Sequence, residues 1–214
     1  HTAGFAYENF NRDIVRYMQV TGFLSIGSGL KSSLFYPLVS EPGERWAYSI
    51  GVDWLGQIVE EIDGRGIDRF CQEEIFDPLG MPDTCFEVAD RLANRLAAAV
   101  LRGEDGHFVD SDLAPPSHPE FYGLGNALYS TTPDYMRFLR MFLNKGQLDG
   151  SRVLSEAGVE LMLANQIGEL RVGKMTSQNP SLVADVDFFP GIAKTHSLGF
   201  LRTEEDVPGK RAAG

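Results

Sequence analysis

The stretch Glu41-Pro42-Gly43-Glu44-Arg45-Trp46-Ala47-Tyr48-Ser49-Ile50-Gly51 carries the side chains best spaced for chemistry. Pro42-Gly43 is a strong turn signal. From Val52 the pattern changes at once: Val52, Leu55, Ile58, Val59 and Ile62 recur at helical spacing and form the expected buried face. Tyr48 thus stands just ahead of a helix, with Ser49 as its expected N-cap. A phenol there lies in a positive local field that favours its anion. The plainer alternative is a buried tyrosine whose hydroxyl meets one partner.

Three serine-based patterns can be tried on the rest. Ala47-Tyr48-Ser49-Ile50-Gly51 matches Gly-x-Ser-x-Gly with Ala in the first place, which would make Ser49 a nucleophile. That turn needs a buried strand running into it, and Glu41 to Arg45 cannot be one. Ser28-Gly29-Leu30-Lys31 has the letters of Ser-x-x-Lys, in which the lysine one helical turn on takes the serine's proton. Gly27 and Gly29 flank this serine, however, and glycine is poor in a helix interior, so the segment reads as a loop without a rigid mount. Lys194-Thr195-His196 lacks the glycine of Lys-Thr-Gly, which lets a substrate approach the backbone; His196 would block it. Gly123-Leu124-Gly125 has phosphate-loop letters, with no buried strand before it and no helix immediately after.

The elements that must position these residues follow from periodicity and punctuation. Glu8 to Met18 reads as an amphipathic helix through Phe10, Ile14, Val15 and Met18. Gly22 to Ser33 reads as loop. The helix after Tyr48 ends at Gly64, a C-cap glycine. Ile67 to Phe76 is a second helix, stopped at Asp77-Pro78 because proline disfavours helix in the residue before it. Leu92 to Val100 fits strand or helix, and residues 102–107 form a hairpin-like turn. Leu113 to Tyr122, with three prolines, is an ordered loop. A helix starts at Thr132-Pro133 and buries Tyr135, Phe138, Leu139 and Phe142. Ser155 caps a helix over Val159 to Ala164, Met175 to Ala193 is irregular, and Ser197 to Leu201 reads as a strand.

Composition bounds the function classes. The 214 residues are 43% hydrophobic and 23% charged, an ordinary globular balance. The net charge of -11 disfavours nucleic acid and anionic membrane surfaces as partners. No apolar run approaches a membrane span and no signal peptide opens the sequence, which leaves its localisation undefined. His1 is not a natural start, so a longer N-terminus is expected. Cys71 and Cys85 make no disulfide framework, and Cys71 reads as a small buried hydrophobe. The histidines at 1, 107, 118 and 196 are scattered, so no metal site and no cofactor is expected.

An ordered set of segments nonetheless resembles a known family. It comprises His1-Thr2-Ala3-Gly4, Glu41-Pro42-Gly43 with Trp46-Ala47-Tyr48-Ser49, Ile75 through Thr84, and Tyr129-Ser130-Thr131-Thr132-Pro133-Asp134-Tyr135. Gly146-Gln147-Leu148-Asp149-Gly150, Leu154-Ser155 and Val159-Glu160-Leu161-Met162 follow. The series resembles the serine β-lactamase-like family of class C β-lactamases, D-Ala-D-Ala carboxypeptidases and carboxylesterase relatives. Trp46-Ala47-Tyr48-Ser49 with Asp53-Trp54-Leu55-Gly56 is most similar to the esterase branch.

The resemblance implies an α+β fold of two lobes, one helical and one built on an antiparallel sheet, with the site between them. Residues 1–165 would be mainly the helical lobe, and 166–214 an irregular segment and strand returning to the other, one domain truncated at both ends. It implies a serine hydrolase acting on a small-molecule ester or amide through an acyl-serine, with Tyr48 as the one catalytic residue carried over. The nucleophilic Ser-x-x-Lys would lie before His1 and the third motif after the chain's end, leaving this chain alone inactive. Ser28, Lys31 and Lys194 would be decoys. Ile50 stands where lactamases usually carry Asn, which implies weak or no β-lactam turnover. Two alternatives remain: a non-catalytic homologue binding a ligand or peptide in the same cleft, and Ser49 as nucleophile with a histidine base.

Overall fold

A computed structural model describes residues 1–112 and 116–214. Asn11 sets the first helix. Its side chain accepts from Asp13 N (3.0 Å) and Ile14 N (3.1 Å), so α1 runs Arg12–Thr21, later than the periodicity alone implies. Ile14 is its fully buried residue. Residues 22–33, read as loop, contain two short 3₁₀ turns, Ile26–Ser28 and the start of Lys31–Leu34.

Helix α2 (Gly51–Asp63) begins behind Tyr48 and closes on Gly64 at φ 84°, as expected. Two expectations for it are corrected. Its N-cap is Ile50, with no side-chain cap, so Ser49 does not cap it. Its buried face is not the predicted one: Leu55, Ile58 and Ile62 are 55%, 48% and 81% exposed, and Val59 is half-buried. The inward residues are Asp53 and Gly56. Gly56 lets Leu124 come close, since a Cβ there would lie 3.1 Å from the Leu124 side chain. The helix is apolar on more than one face, and packing against the 123–125 turn selected its phase.

The next helix is continuous through Pro78. It consists of α3 (Ile67–Cys71), a π-turn over Gln72–Phe76 and α4 (Asp77–Leu79), and it ends at Gly80, φ 62°. The wider turn, in which Asp77 N–H reaches Gln72 O, lies just ahead of the proline and accommodates a ring that would otherwise break the helix. The ambiguous 92–100 stretch divides into the end of α5 (Asp90–Ala93) and the start of β1 (Ala99–Arg102). The hairpin at 102–107 is present and pairs β1 with β2 (Phe108–Ser111). Of the loop expected over 113–122, residues 113–115 lie outside the described residues.

Helix α6 (Thr132–Leu143) is capped by Thr131 and carries Pro133 in its first turn. Its stripe is shifted: Met141 and Phe142 are buried, Phe138 and Leu139 half-buried, and Tyr135 exposed. β3 (Gln147–Leu148) and β4 (Ser151–Arg152) form a tight hairpin, and Ser155 caps α7 (Glu156–Leu163) through Gly158 N (3.0 Å). The expected strand over 197–201 is instead mostly a turn. β5 (Lys194–His196) and β6 (Leu201–Thr203) flank it, and Ser197 Oγ accepts from Phe200 N at 2.8 Å to tighten it.

The described sheets are antiparallel pairs, so the chain is α+β. Two apolar cores form. One joins Ile67, Phe76, Leu79, Met81, Phe86, Met141, Phe142, Leu148 and Val159. The other joins Ala6, Tyr7, Ile14, Ile26, Leu34, Tyr36, Ile50 and Phe121. α2 spans both: Val52 and Trp54 pack on the second and Val59 on the first. Tyr48 borders the second core at the head of that helix.

Candidate active site

Residues 1–7 run beside 39–48 and fix the backbone that carries Tyr48. Ala47 N donates to His1 O (2.9 Å), Gly43 N to Thr2 O (2.7 Å), Val39 N to Gly4 O (2.8 Å) and Tyr7 N to Tyr48 O (3.1 Å). Gly4 is required: at φ 85°, a Cβ would sit 2.4 Å from Ser40 O. Around the half-buried Tyr48 ring stand His1 (4.8 Å between centroids), Tyr7 (5.0 Å) and Phe10 (6.2 Å). His1 also meets Trp46 (5.7 Å) and His196 (5.3 Å). The result is an aromatic wall drawn from both ends of the sequence.

Under the wall lies a buried carboxylate. Asp53, 1% exposed, accepts from Tyr7 Oη at 2.5 Å and from Gly125 N at 3.0 Å. Burial pushes its carboxyl up from the ordinary range, and the two hydrogen bonds pull against that shift. The Tyr48 phenol is also pushed up, first by burial and then by the negative charge of Asp53. The positive field expected at the helix start is therefore outweighed at Tyr48, with an acid already in the first turn of α2. Tyr7 moves in the same direction for the same reasons. Burial lowers His196, although its ring Nδ1 meets Ser197 O at 2.7 Å.

The other sequence candidates are not mounted for the chemistry their letters suggest. Ser49 is fully buried; its N–H donates to His1 Nδ1 (3.1 Å) and its Oγ lies 3.4 Å from the same nitrogen. This is a serine–histidine contact, but an acyl substrate has no access to that hydroxyl. Ser28 and Lys31 are separated by Gly29 at φ 71°, which breaks the helical turn that Ser-x-x-Lys requires. Ser28 Oγ accepts from Leu30 N (3.4 Å), and Lys31 N–H is drawn to Glu120 Oε2 (2.8 Å). Lys194 opens β5 rather than preceding a strand, and its buried ammonium donates to Ile192 O (3.0 Å) and Phe189 O (3.3 Å) near Asp187. Gly123 and Gly125 cradle no phosphate; they close over Asp53 and Tyr7.

Sequence reasoning missed Asp53, Tyr7 and His196 as neighbours of the site. Asp53 had a legible signal, an acid among Ile50, Val52, Trp54 and Leu55 in a helix's first turn. Tyr7 and His196 had none, because only the chain's return brings them there. Among the described residues no group of three or more His, Cys, Asp or Glu could hold a metal.

The surroundings of Tyr48 can be set beside known proteins. An uncharacterized protein of Mycobacterium tuberculosis, MT1414, is 37% identical over 175 residues, covering 78% of this chain and 43% of its own length. Lovastatin esterase of Penicillium rubens is 29% identical over 222 residues, covering 98% and 54%. The solved structure of simvastatin synthase (LovD) from Aspergillus terreus superposes with a TM-score of 0.75 at 25% identity, over 100% of this chain and 54% of that one. The chain thus spans about half the length of the relatives it matches. The sequence model of the Beta-lactamase family matches residues 1–211, so this chain belongs to the Beta-lactamase family.

Proposed function

We propose that this chain is part of a serine carboxylesterase in which Tyr48 is the general base. One observation carries the reading. In a chain of this family, a phenol is held at the head of α2 by a backbone hydrogen bond from Tyr7 and by three flanking rings. The similarity to lovastatin esterase supports ester as the substrate class. Ile50 is fully buried, so the residue two past the tyrosine offers a β-lactam no polar contact.

In the proposed reaction a serine Oγ attacks the ester carbonyl while Tyr48 Oη takes its proton. The tetrahedral oxyanion collapses, the alcohol leaves with a proton, and an acyl-serine remains. Water then attacks that acyl group, again giving its proton to Tyr48, and free acid departs. Backbone N–H donors would stabilise the oxyanion. The serine would come from outside these 214 residues, because Ser28 lacks its lysine and Ser49 is buried. A phenol pushed up by burial and Asp53 also needs a neighbouring cation to act at neutral pH, and that cation would accompany the serine.

The test is Tyr48→Phe in the full-length protein with a p-nitrophenyl ester. The expected loss is roughly 10²-fold or more, the scale of a general base. Near-normal turnover would overturn the assignment. The raised phenol favours one alternative, a non-catalytic ligand-binding homologue. For that case the unsubstituted full-length protein would itself turn over no ester.

A further inference from the structure

We propose that Asp53 is the positioning residue for Tyr48: acting through Tyr7, its carboxylate fixes the Tyr48 ring at the head of α2. This rests on the reading of Tyr48 as the base.

The geometry is a chain of short links. Asp53 Oδ2 takes the Tyr7 hydroxyl and Oδ1 takes Gly125 N–H. Tyr7 in turn gives its own N–H to Tyr48 O at 3.1 Å and stacks its ring at 5.0 Å, tilted by 50°. Tyr48 therefore cannot shift without breaking a contact to Tyr7, and Tyr7 cannot turn without leaving Asp53. The 123–125 turn closes the cluster from the third side. A Cβ at 125 would sit 2.2 Å from Tyr7 Oη, so only glycine admits this approach there, and one at 123 would crowd Asp53 Oδ1 at 3.0 Å. That accounts for Gly123-Leu124-Gly125.

Packing alone does not require the charge. Both partners of the carboxylate are neutral donors, and a buried carboxylate without a cation is costly. Asparagine would fill the same space, accepting from Gly125 N–H through Oδ1 and donating through Nδ2 to Tyr7 Oη, since a tyrosine hydroxyl also accepts. Asp53→Asn therefore separates the carboxylate's hold on Tyr7 and Gly125 from its charge. The titratable groups around Tyr48 are His1 and Tyr7 from the N-terminal segment and Asp53 from α2. His196 on β5 reaches it only across His1, and Glu8 acts on Tyr7 and Asp53. Among these, Asp53 is the charge that acts on the Tyr48 phenol.

The experiment uses the full-length protein with Asp53→Asn, Tyr7→Phe and Tyr48→Phe, each checked by thermal unfolding. Tyrosine labelled with ¹³C at Cζ reads the Tyr48 titration directly, and Tyr48→Phe assigns its signal. In Asp53→Asn, Tyr48 is expected to titrate lower, because the charge that raises its phenol is gone. For p-nitrophenyl butyrate, Asp53→Asn should keep kcat within about 3-fold because both hydrogen bonds remain, and the acid limb of the pH–rate profile should move to lower pH. Tyr7→Phe, which breaks the link while the charge remains, should lower kcat about 10-fold or more with KM nearly unchanged. A folded Tyr7→Phe protein with unchanged kcat overturns the proposal, as does a loss of about 10-fold or more in folded Asp53→Asn, which keeps both hydrogen bonds. If Tyr7→Phe fails to fold, Asp53→Ala, which removes the acceptor from the other side, decides, and unchanged kcat there overturns the proposal. Should Tyr48→Phe keep its turnover, the base assignment fails, while the NMR titration still judges the link from Asp53 to Tyr48.

Discussion

At the scale of the residue, burial decides which hydroxyl can react. Tyr48 and Ser49 are neighbours in the chain, yet Tyr48 is half-buried against other rings and Ser49 is sealed beneath His1. The letters around Ser49 therefore mislead. Ser49→Ala removes one long contact of 3.4 Å to His1 Nδ1 and leaves the Ser49 N–H bond to the same atom intact. A hydrogen bond of that quality contributes at most about 1 kcal/mol, so the substitution should change ester turnover of the full-length protein less than about 3-fold. A loss of 10²-fold or more would restore Ser49 as a nucleophile.

At the scale of the element, α2 shows that helical spacing does not set helical phase. Leu55 was expected inside, where truncation would cost about 2–5 kcal/mol. It is 55% exposed, so Leu55→Ala should cost less than about 1 kcal/mol in urea unfolding of this chain. Leu79→Ala, at a fully buried position in the larger core, should show the 2–5 kcal/mol loss instead. Equal effects would contradict the observed phase. A second device at this scale ties α5 to the turn at 82–84. Asp83 pairs with Arg91 and Arg95 at 2.6 Å each, and these guanidinium groups hold its carboxyl below the usual range. A carboxyl lowered on folding adds stability above its unfolded pKa of about 4, lost as pH falls through the folded value. Asp83→Asn should therefore narrow the gap in melting temperature between neutral and acid solution. A pH profile identical to that of the unsubstituted chain would refute this.

At the scale of the whole molecule, the described residues carry the phenol of the proposed site without a serine and lysine mounted among them to work with it. Ser28 and Lys31 are split by a left-handed glycine, and Lys194 is committed to backbone carbonyls. The 214-residue chain by itself is therefore expected to take no fluorophosphonate label at neutral pH. The full-length protein should be labelled at a serine outside these residues. A stoichiometric adduct on Ser28 or Ser49, found by peptide mapping, would show that the nucleophile lies within the chain.

The sequence by itself determined the features written in local chemistry. Gly64 ends α2 because glycine accepts a positive φ, Ser155 starts α7 because its hydroxyl accepts a free N–H, and the ordered segments from His1 to Met162 pointed to the family. It also placed Tyr48 just ahead of a helix. Only the tertiary structure decided which face of α2 is buried, because that depends on Leu124 packing at Gly56 from far along the chain. It alone carried the helix through Pro78, where a wider turn relieves the clash that proline makes in regular helix. It alone brought Tyr7, Asp53 and Gly125 together under Tyr48. Side-chain spacing encodes neighbours within one or two helical turns, whereas a buried carboxylate and its donors are set by segments that meet only after the chain has folded back.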